Sequence, residues 1–321
     1  MSHAVGMLTE VARLPHDPGV YRFRGPGGRV LYVGRAVDLR RRVASYWGDL
    51  RDRRHLRRMV PRIERVEAVV CESGHEAAWL ERNLLEHRLP AWNRSRGEEV
   101  PVYFRVDGRP RAPGITVVHR IVPTAGVVHF GPYLGSVRAQ AAVAGLQRVL
   151  PLAYAGAGLP GSHVDLARVR GVGATDRAAL LDTLHRVLGR DPAAVTHLRE
   201  ALCALRDGAS AALAYERAGQ VQGELEALEW LVATQRVTST EPAGADVAAD
   251  ADVAGWADGV LVRFRIRDGR LNAWTQRPCS QAGARSCVAA SPRVWAGFAE
   301  RNALLAAQLS ASRAGVGGGS G

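Results

Sequence analysis

Residues 18–35 read Pro18-Gly19-Val20-Tyr21-Arg22-Phe23-Arg24-Gly25-Pro26-Gly27-Gly28-Arg29-Val30-Leu31-Tyr32-Val33-Gly34-Arg35. Pro18-Gly19 opens a strand over 20–24, Gly25-Pro26-Gly27-Gly28 is a turn, and residues 29–34 read as the returning strand. In such a hairpin Tyr21 and Tyr32, eleven residues apart, can lie close together on one face. Alone the pair is a weak functional signal, because pleated surfaces favour tyrosine in any strand.

The following segment strengthens it. Residues 36–47 read as a helix carrying Arg40, Arg41 and Arg42, and eleven arginines fall between Arg35 and Arg65. A charge run is often only a solvated face, but this one is single-signed and adjoins the hairpin. It predicts a phosphate-binding surface formed by Arg35, Arg40, Arg41, Arg51, Arg54, Arg57 and Arg58, with affinity but little sequence information. Residues 63–71 read as a third strand. Residues 74–89 read as a helix whose apolar arc is Ala77, Leu80, Leu84 and Leu85. Glu81 falls inside that arc, where a carboxylate is costly without a cation. Two readings stay open: a buried salt bridge to an arginine, or the ligand of a hard divalent ion completed by water and phosphate.

Bulk properties agree. The 321 residues suggest two or three domains. The net charge is +12 and the isoelectric point about 10.6, favouring a polyanionic partner. There is no lysine, so all 43 basic residues are arginines, fork donors suited to phosphate. Cys71, Cys203, Cys279 and Cys287 show no C-x-x-C spacing, which points to a reduced, cytoplasmic protein. No signal peptide or membrane-spanning apolar run is evident, and Cys279 and Cys287 are not expected to bind metal.

With these residues in view, residues 18–93 resemble the GIY-YIG nuclease domain found at the N-terminus of UvrC. The matching blocks are Pro-Gly-Val-Tyr (18–21), Leu-Tyr-Val-Gly-Arg-Ala (31–36), Leu-Arg-Arg-Arg-Val-Ala-Ser-Tyr (39–46), Glu-Ala-Ala-Trp-Leu-Glu-Arg-Asn-Leu-Leu (76–85) and Leu-Pro-Ala-Trp-Asn (89–93). The resemblance implies that Tyr21 and Tyr32 are paired site tyrosines and that Arg42 binds phosphate. It also implies that Glu81 is the sole protein ligand of one Mg²⁺ or Mn²⁺, and that Asn93 orders the site. UvrC-like proteins usually carry lysine where Arg35 stands; arginine keeps the charge but does not deprotonate, so a proton-transfer role there is in doubt.

The likeness continues through residues 100–151, including His129-Phe130-Gly131-Pro132-Tyr133-Leu134 and a helix over 137–150. Where the family has iron–sulfur cysteines this chain reads Pro151-Leu152-Ala153-Tyr154-Ala155-Gly156, so no iron–sulfur cluster is expected. Residues 164–237 are helical in pattern, with Asp191-Pro192 as a helix start and apolar stripes Leu198, Leu202, Leu205, Leu213 and Leu225, Leu228, Leu231. This reads either as an αα-hairpin that simply packs or as the UVR motif, the hairpin by which UvrC docks on UvrB. The second reading rests on Leu213, Tyr215, Glu216, Arg217 and Ala218, followed by Leu225 and Leu228. Residues 239–255 read as an acidic linker and 256–274 as a β-hairpin faintly resembling the start of UvrC's second nuclease domain. A helix over 292–309 and a glycine-rich tail follow.

The expectation is therefore an α+β chain: a GIY-YIG domain with a small mixed or antiparallel sheet over 1–98, a connecting region over 99–162 and a helical region over 163–238. A linker over 239–255 and a small C-terminal remnant over 256–321 complete it. The expected activity is single DNA incision 3′ to a lesion on UvrB-bound DNA, as in the short, Cho-like, single-nuclease UvrC homologues. The partners are damaged duplex DNA and UvrB, with no membrane. Two alternatives stand: a stand-alone structure-specific nuclease, and a DNA- and UvrB-binding adaptor with a weak or dead site.

Overall fold

The first strand pair forms as the glycine pattern requires. In the computed structural model, which describes residues 2–48, 50–97, 99–238 and 250–316, helix α1 (Ser2–Val11) leads into β1 (Gly19–Arg24) and β2 (Val30–Ala36). Helix α2 (Leu39–Ala44) is followed by short 3-10 turns at Ser45–Trp47, Arg51–Arg58 and Val60–Arg62, then β3 (Arg65–Val70) and α3 (Gly74–His87). The sheet is antiparallel in the order β2-β1-β3. A side chain at Gly19 would collide with the Val69 carbonyl, and one at Gly34 would put Cβ 2.5 Å from Tyr21 Oη. The expected 36–47 helix starts only at Leu39, because Ala36 still pairs with Gly19 and Asp38 caps the helix by accepting from Arg41 N at 2.8 Å.

Two compact units are present, one of residues 1–98 with 234–321 and one of residues 99–233. In the second, β4 (Pro101–Asp107), β5 (Ile115–Val118) and β6 (Val127–Leu134) form an antiparallel sheet in the order β5-β4-β6. Helices α4 (Ser136–Val149), α5 (Gly161–Val169), α6 (Arg177–Leu188), α7 (Pro192–Ala211) and α8 (Tyr215–Val232) follow. Asp191 caps α7 through Ala194 N at 2.8 Å, with Pro192 at the first helical position. The α7–α8 hairpin packs through Leu198, Leu202, Leu225, Leu228 and Leu231. The α7 stripe is shorter than its pattern suggests: Leu205 and Leu213 are exposed. Residues 151–154 are held by one buried cation, since the Arg177 guanidinium donates to the carbonyls of Leu152, Asp107, Arg109 and Ala112.

The chain then returns to the first unit. Residues 239–249 of the expected linker lie outside the described residues, and from Ala251 the segment is strand. Instead of a hairpin there is a three-stranded meander of β7 (Ala251–Ala257), β8 (Val260–Arg267) and β9 (Arg270–Pro278), followed by α9 (Gln281–Ala289) and α10 (Ala296–Val316). The alternation that identifies a strand is weak in Ala251-Asp252-Val253-Ala254-Gly255, where small residues let α10 approach; a side chain at Gly255 would strike the Ala299 carbonyl. Leu305 and Leu309 of α10 enter the same core as Tyr21, Phe23, Leu39, Val43 and Tyr46. Glu67 of β3 is fully buried and pairs with Arg22, Arg24 and Arg65. Arg22 is covered by Trp274 of β9, its guanidinium 3.8 Å from the ring centroid. Among the described residues no helix is long and apolar enough to cross a membrane.

Candidate active site

Three tyrosines meet at the first sheet. Register places Tyr32 opposite Phe23 and Tyr21 opposite Gly34, so Tyr21 and Tyr32 share a face with ring centroids 6.3 Å apart. Tyr46, in the turn after α2, completes the group at 5.9 Å from Tyr21 and 6.0 Å from Tyr32. Its hydroxyl is 2.7 Å from that of Tyr21. Tyr46 was not singled out from the sequence, although it ends the quoted 39–46 block. Tyr21 and Tyr46 are buried, whereas Tyr32 is partly open.

Burial pushes all three phenols well above their ordinary value, and mutual repulsion of the phenolate charges adds to it. Arg42, half-buried at the end of α2, opposes this for each tyrosine, hydrogen-bonds Tyr21 and lies 5.8 Å from the Tyr46 ring centroid. Its own pKa is raised: burial works against its charge, but Tyr21 and the other phenols outweigh burial. The resting site thus holds three neutral hydroxyls and a fixed cation.

Glu81 corrects the sequence picture. It is not sealed in the apolar arc of α3; its side chain is 22 % exposed and its Oε2 lies 3.3 Å from Arg35 Nε. The arc is displaced because Trp79 and Asn83 are also buried. The deeply buried carboxylate on α3 is Glu76, which accepts from Glu72 N at 2.7 Å and Arg236 N at 3.0 Å. Burial raises its pKa even so. Periodicity alone could not distinguish the two, since Glu76 is held by backbone amides at the helix start and in the distant 234–238 segment.

Asn93 is placed by the loop after α3. Its Oδ1 accepts from Val33 N at 3.0 Å and its Nδ2 donates to Val33 O at 2.8 Å, closing the open edge of β2 beside Tyr32. Asn302 of α10 does the same for the other edge strand, bonding Val70 N at 2.7 Å and Val70 O at 3.2 Å.

Comparison with known proteins agrees with this arrangement: the model of the UvrC-like GIY-YIG domain family matches residues 17–94. Residues 17–94 belong to the UvrC-like GIY-YIG family. Curated relatives named UvrABC system protein C include one from Geobacter metallireducens, 36 % identical over 143 residues, covering 44 % of this chain and 23 % of that protein. Another, from Desulforudis audaxviator, is 31 % identical over 274 residues, covering 82 % of this chain and 43 % of that protein. The chain spans less than half the length of these relatives. Among solved structures, the GIY-YIG N-terminal endonuclease domain of UvrC from Thermotoga maritima, bound to magnesium, is 29 % identical. It covers 26 % of this chain and 92 % of that one, with a TM-score of 0.25.

Around the GIY-YIG site the arginines separate into two groups. Arg41, Arg54, Arg57 and Arg58 are exposed, and Arg51 opens the Arg51–Arg58 turn. Arg40 is instead tied into the domain, its Nε donating to Leu14 O at 2.6 Å. In the 99–233 unit the hairpin residues also divide. Leu213, Tyr215, Glu216 and Arg217 are exposed at the tip, with Ala218 partly so, whereas Leu225 and Leu228 are core residues and are not available to a partner. Leu213 makes the turn with a left-handed backbone, φ +56°. Among the described residues no group of three or more His, Cys, Asp or Glu is placed to hold a metal.

Proposed function

We propose that this chain is a divalent-cation-dependent DNA endonuclease of nucleotide excision repair, acting in the cytoplasm, that makes a single incision 3′ to a lesion on duplex presented by UvrB. The observation that carries this reading is the meeting of the Tyr21, Tyr46 and Tyr32 hydroxyls with Arg42, while Glu81 lies near enough to Tyr32 to raise its pKa further.

The donor set fits one Mg²⁺ or Mn²⁺. Glu81 offers a hard oxygen at a partly open edge, and such ions keep most of their shell as water and substrate phosphate. When bound, the ion supplies positive charge at the departing oxygen. Tyr32, the exposed tyrosine, is the one to face the attacking water. It relays the water's proton, taking it up as it releases its own to solvent at the open side of the site, while Tyr46 and Tyr21 stay neutral and hold its orientation. Arg42 stabilises the charge that develops on the phosphorus oxygens. Asn93 holds the Tyr32 strand in register. The exposed arginines supply affinity for the backbone.

Support for a UvrB partner comes from the relatives' shared name and from the exposed, partly apolar hairpin tip at Leu213 and Tyr215. The test is cleavage of an end-labelled duplex carrying one bulky lesion, with Mg²⁺, with and without UvrA and UvrB. A single 3′ cut that needs UvrB is the expected result. Cutting without UvrB supports a stand-alone nuclease, and binding without cutting in both conditions supports the adaptor.

A further inference from the structure

The carboxylate that the cation reading needs already has an occupant. Arg35 follows Gly34 on β2 and is fixed opposite Val20 of β1. Its side chain, 37 % exposed, brings Nε to 3.3 Å from Glu81 Oε2. A guanidinium and a hard divalent ion compete for such an oxygen, because both neutralise the same charge and repel one another at contact distance. The guanidinium also has a second natural ligand, since its fork matches a phosphodiester as well as a carboxylate. It keeps its charge throughout the working pH range, so it is released not by deprotonation but by an anion that competes for the guanidinium or a cation that competes for the carboxylate.

We propose that Arg35 is a latch on Glu81: without DNA it holds the carboxylate and keeps the divalent cation weakly bound. A backbone phosphate entering the site draws Arg35 across and frees Glu81, so that cation and DNA load together. This rests on Glu81 being the cation ligand. Linkage makes the coupling reciprocal, so DNA tightens the cation and the cation tightens DNA by the same factor. The ion then enters strongly only when its substrate is present.

The test uses Mn²⁺ alone as the probe, with binding read from water-proton relaxation on the whole chain. It is run without DNA and with an undamaged duplex, which the proposed reaction does not cut; the Glu81→Gln protein provides the background for Mn²⁺ held by DNA itself. In the absence of DNA, Arg35→Gln is expected to tighten Mn²⁺ about fivefold or more, the usual lower bound for a coupled pair of sites. Duplex should tighten Mn²⁺ in both proteins through the phosphate it brings, but by a larger factor in the parent than in Arg35→Gln, and equal factors would overturn the latch. Equal affinity in parent and Arg35→Gln overturns the latch. Parent-like Mn²⁺ binding by Glu81→Gln overturns the assignment of Glu81 itself. If thermal unfolding shows that Arg35→Gln does not fold, Arg35→Met decides: with the cation gone and the stem kept, its Mn²⁺ affinity must still rise, and an unchanged value sinks the latch.

Discussion

Removing Glu67 should unsettle the sheet that carries the tyrosines. Glu67 is fully buried, and Arg22, at 6 % exposure, lies between Tyr21 and Phe23 on β1. Burial lowers the Arg22 pKa to about 10, so it stays charged at neutral pH. Arg24 and Arg65 are more open and can turn to water, whereas Arg22, beneath Trp274, cannot. Glu67→Gln therefore leaves mainly one uncompensated buried cation, which costs about 3 kcal/mol at the low end for a broken buried pair. In a unit of this size that is a fall in midpoint of roughly 6 to 12 °C. Scanning calorimetry on the whole chain reads it, with the transition of the 99–233 unit as the internal reference. A second variant separates charge from packing: Glu67→Leu with Arg22→Met removes both charges and should recover at least half of the loss. A single-variant loss below about 1 kcal/mol, the range of surface ion pairs, would refute the reasoning. The pH dependence has a fixed sign. Burial alone would raise Glu67, but Arg22 and Arg24 outweigh it and hold the pKa below 4.5. Its contribution is thus complete above about pH 4.5 and lost as pH falls through the lower folded value, so Glu67→Gln should show a shallower acid limb.

Other expectations concern the site more directly. Glu81→Gln should abolish metal-dependent cutting while keeping duplex binding, because most of the affinity comes from phosphate contacts elsewhere; full activity would remove the cation assignment. Gly34→Ala should displace the Tyr21 ring and cost about 1 to 3 kcal/mol as an overpacked core position, with cutting lost in step. Parent-like stability and rate would show that the strand has room. Replacing the exposed Arg54, Arg57 and Arg58 together by Gln should flatten the slope of log affinity against log salt by up to about 2.7, at about 0.9 per phosphate contact. An unchanged slope would take this turn off the DNA path.

The glycine and tyrosine spacing of residues 18–35 was legible because Gly19 and Gly34 each answer a steric demand, Gly19 from the Val69 carbonyl and Gly34 from the Tyr21 ring. The start of α7 was legible because Asp191-Pro192 marks it, whereas the start of α2 was placed too early because the Asp38 cap was overlooked. What could not be read came from pairings distant in sequence. Periodicity does not separate Glu76 from Glu81; the Ser73-to-Glu76 capping spacing is the local signal, and the contact from Arg236 N is distant in sequence. The return of the C-terminal segment was hidden likewise, because a strand of small residues carries little alternation and the Leu305 and Leu309 contacts span most of the chain. Arg40 illustrates a further limit: a run of arginines shows charge, but not which guanidinium is already engaged.

The two asparagines give this long-range packing a functional meaning. A three-stranded sheet has two edges for one central strand, and here each edge is closed by a side-chain amide bonding both backbone groups of one residue. Asn93 acts next to Tyr32, and Asn302 acts across the sheet at Val70. Both restrain the strands flanking β1, which carries Tyr21, and an unpaired edge would let those strands twist and shift. The tyrosine hydroxyl chain depends on a 2.7 Å contact between residues on different elements, and such a contact does not survive a strand shift of an ångström. The C-terminal helix is therefore part of what positions the site, through Asn302 at the sheet edge and Leu305 and Leu309 in the core shared with Tyr21.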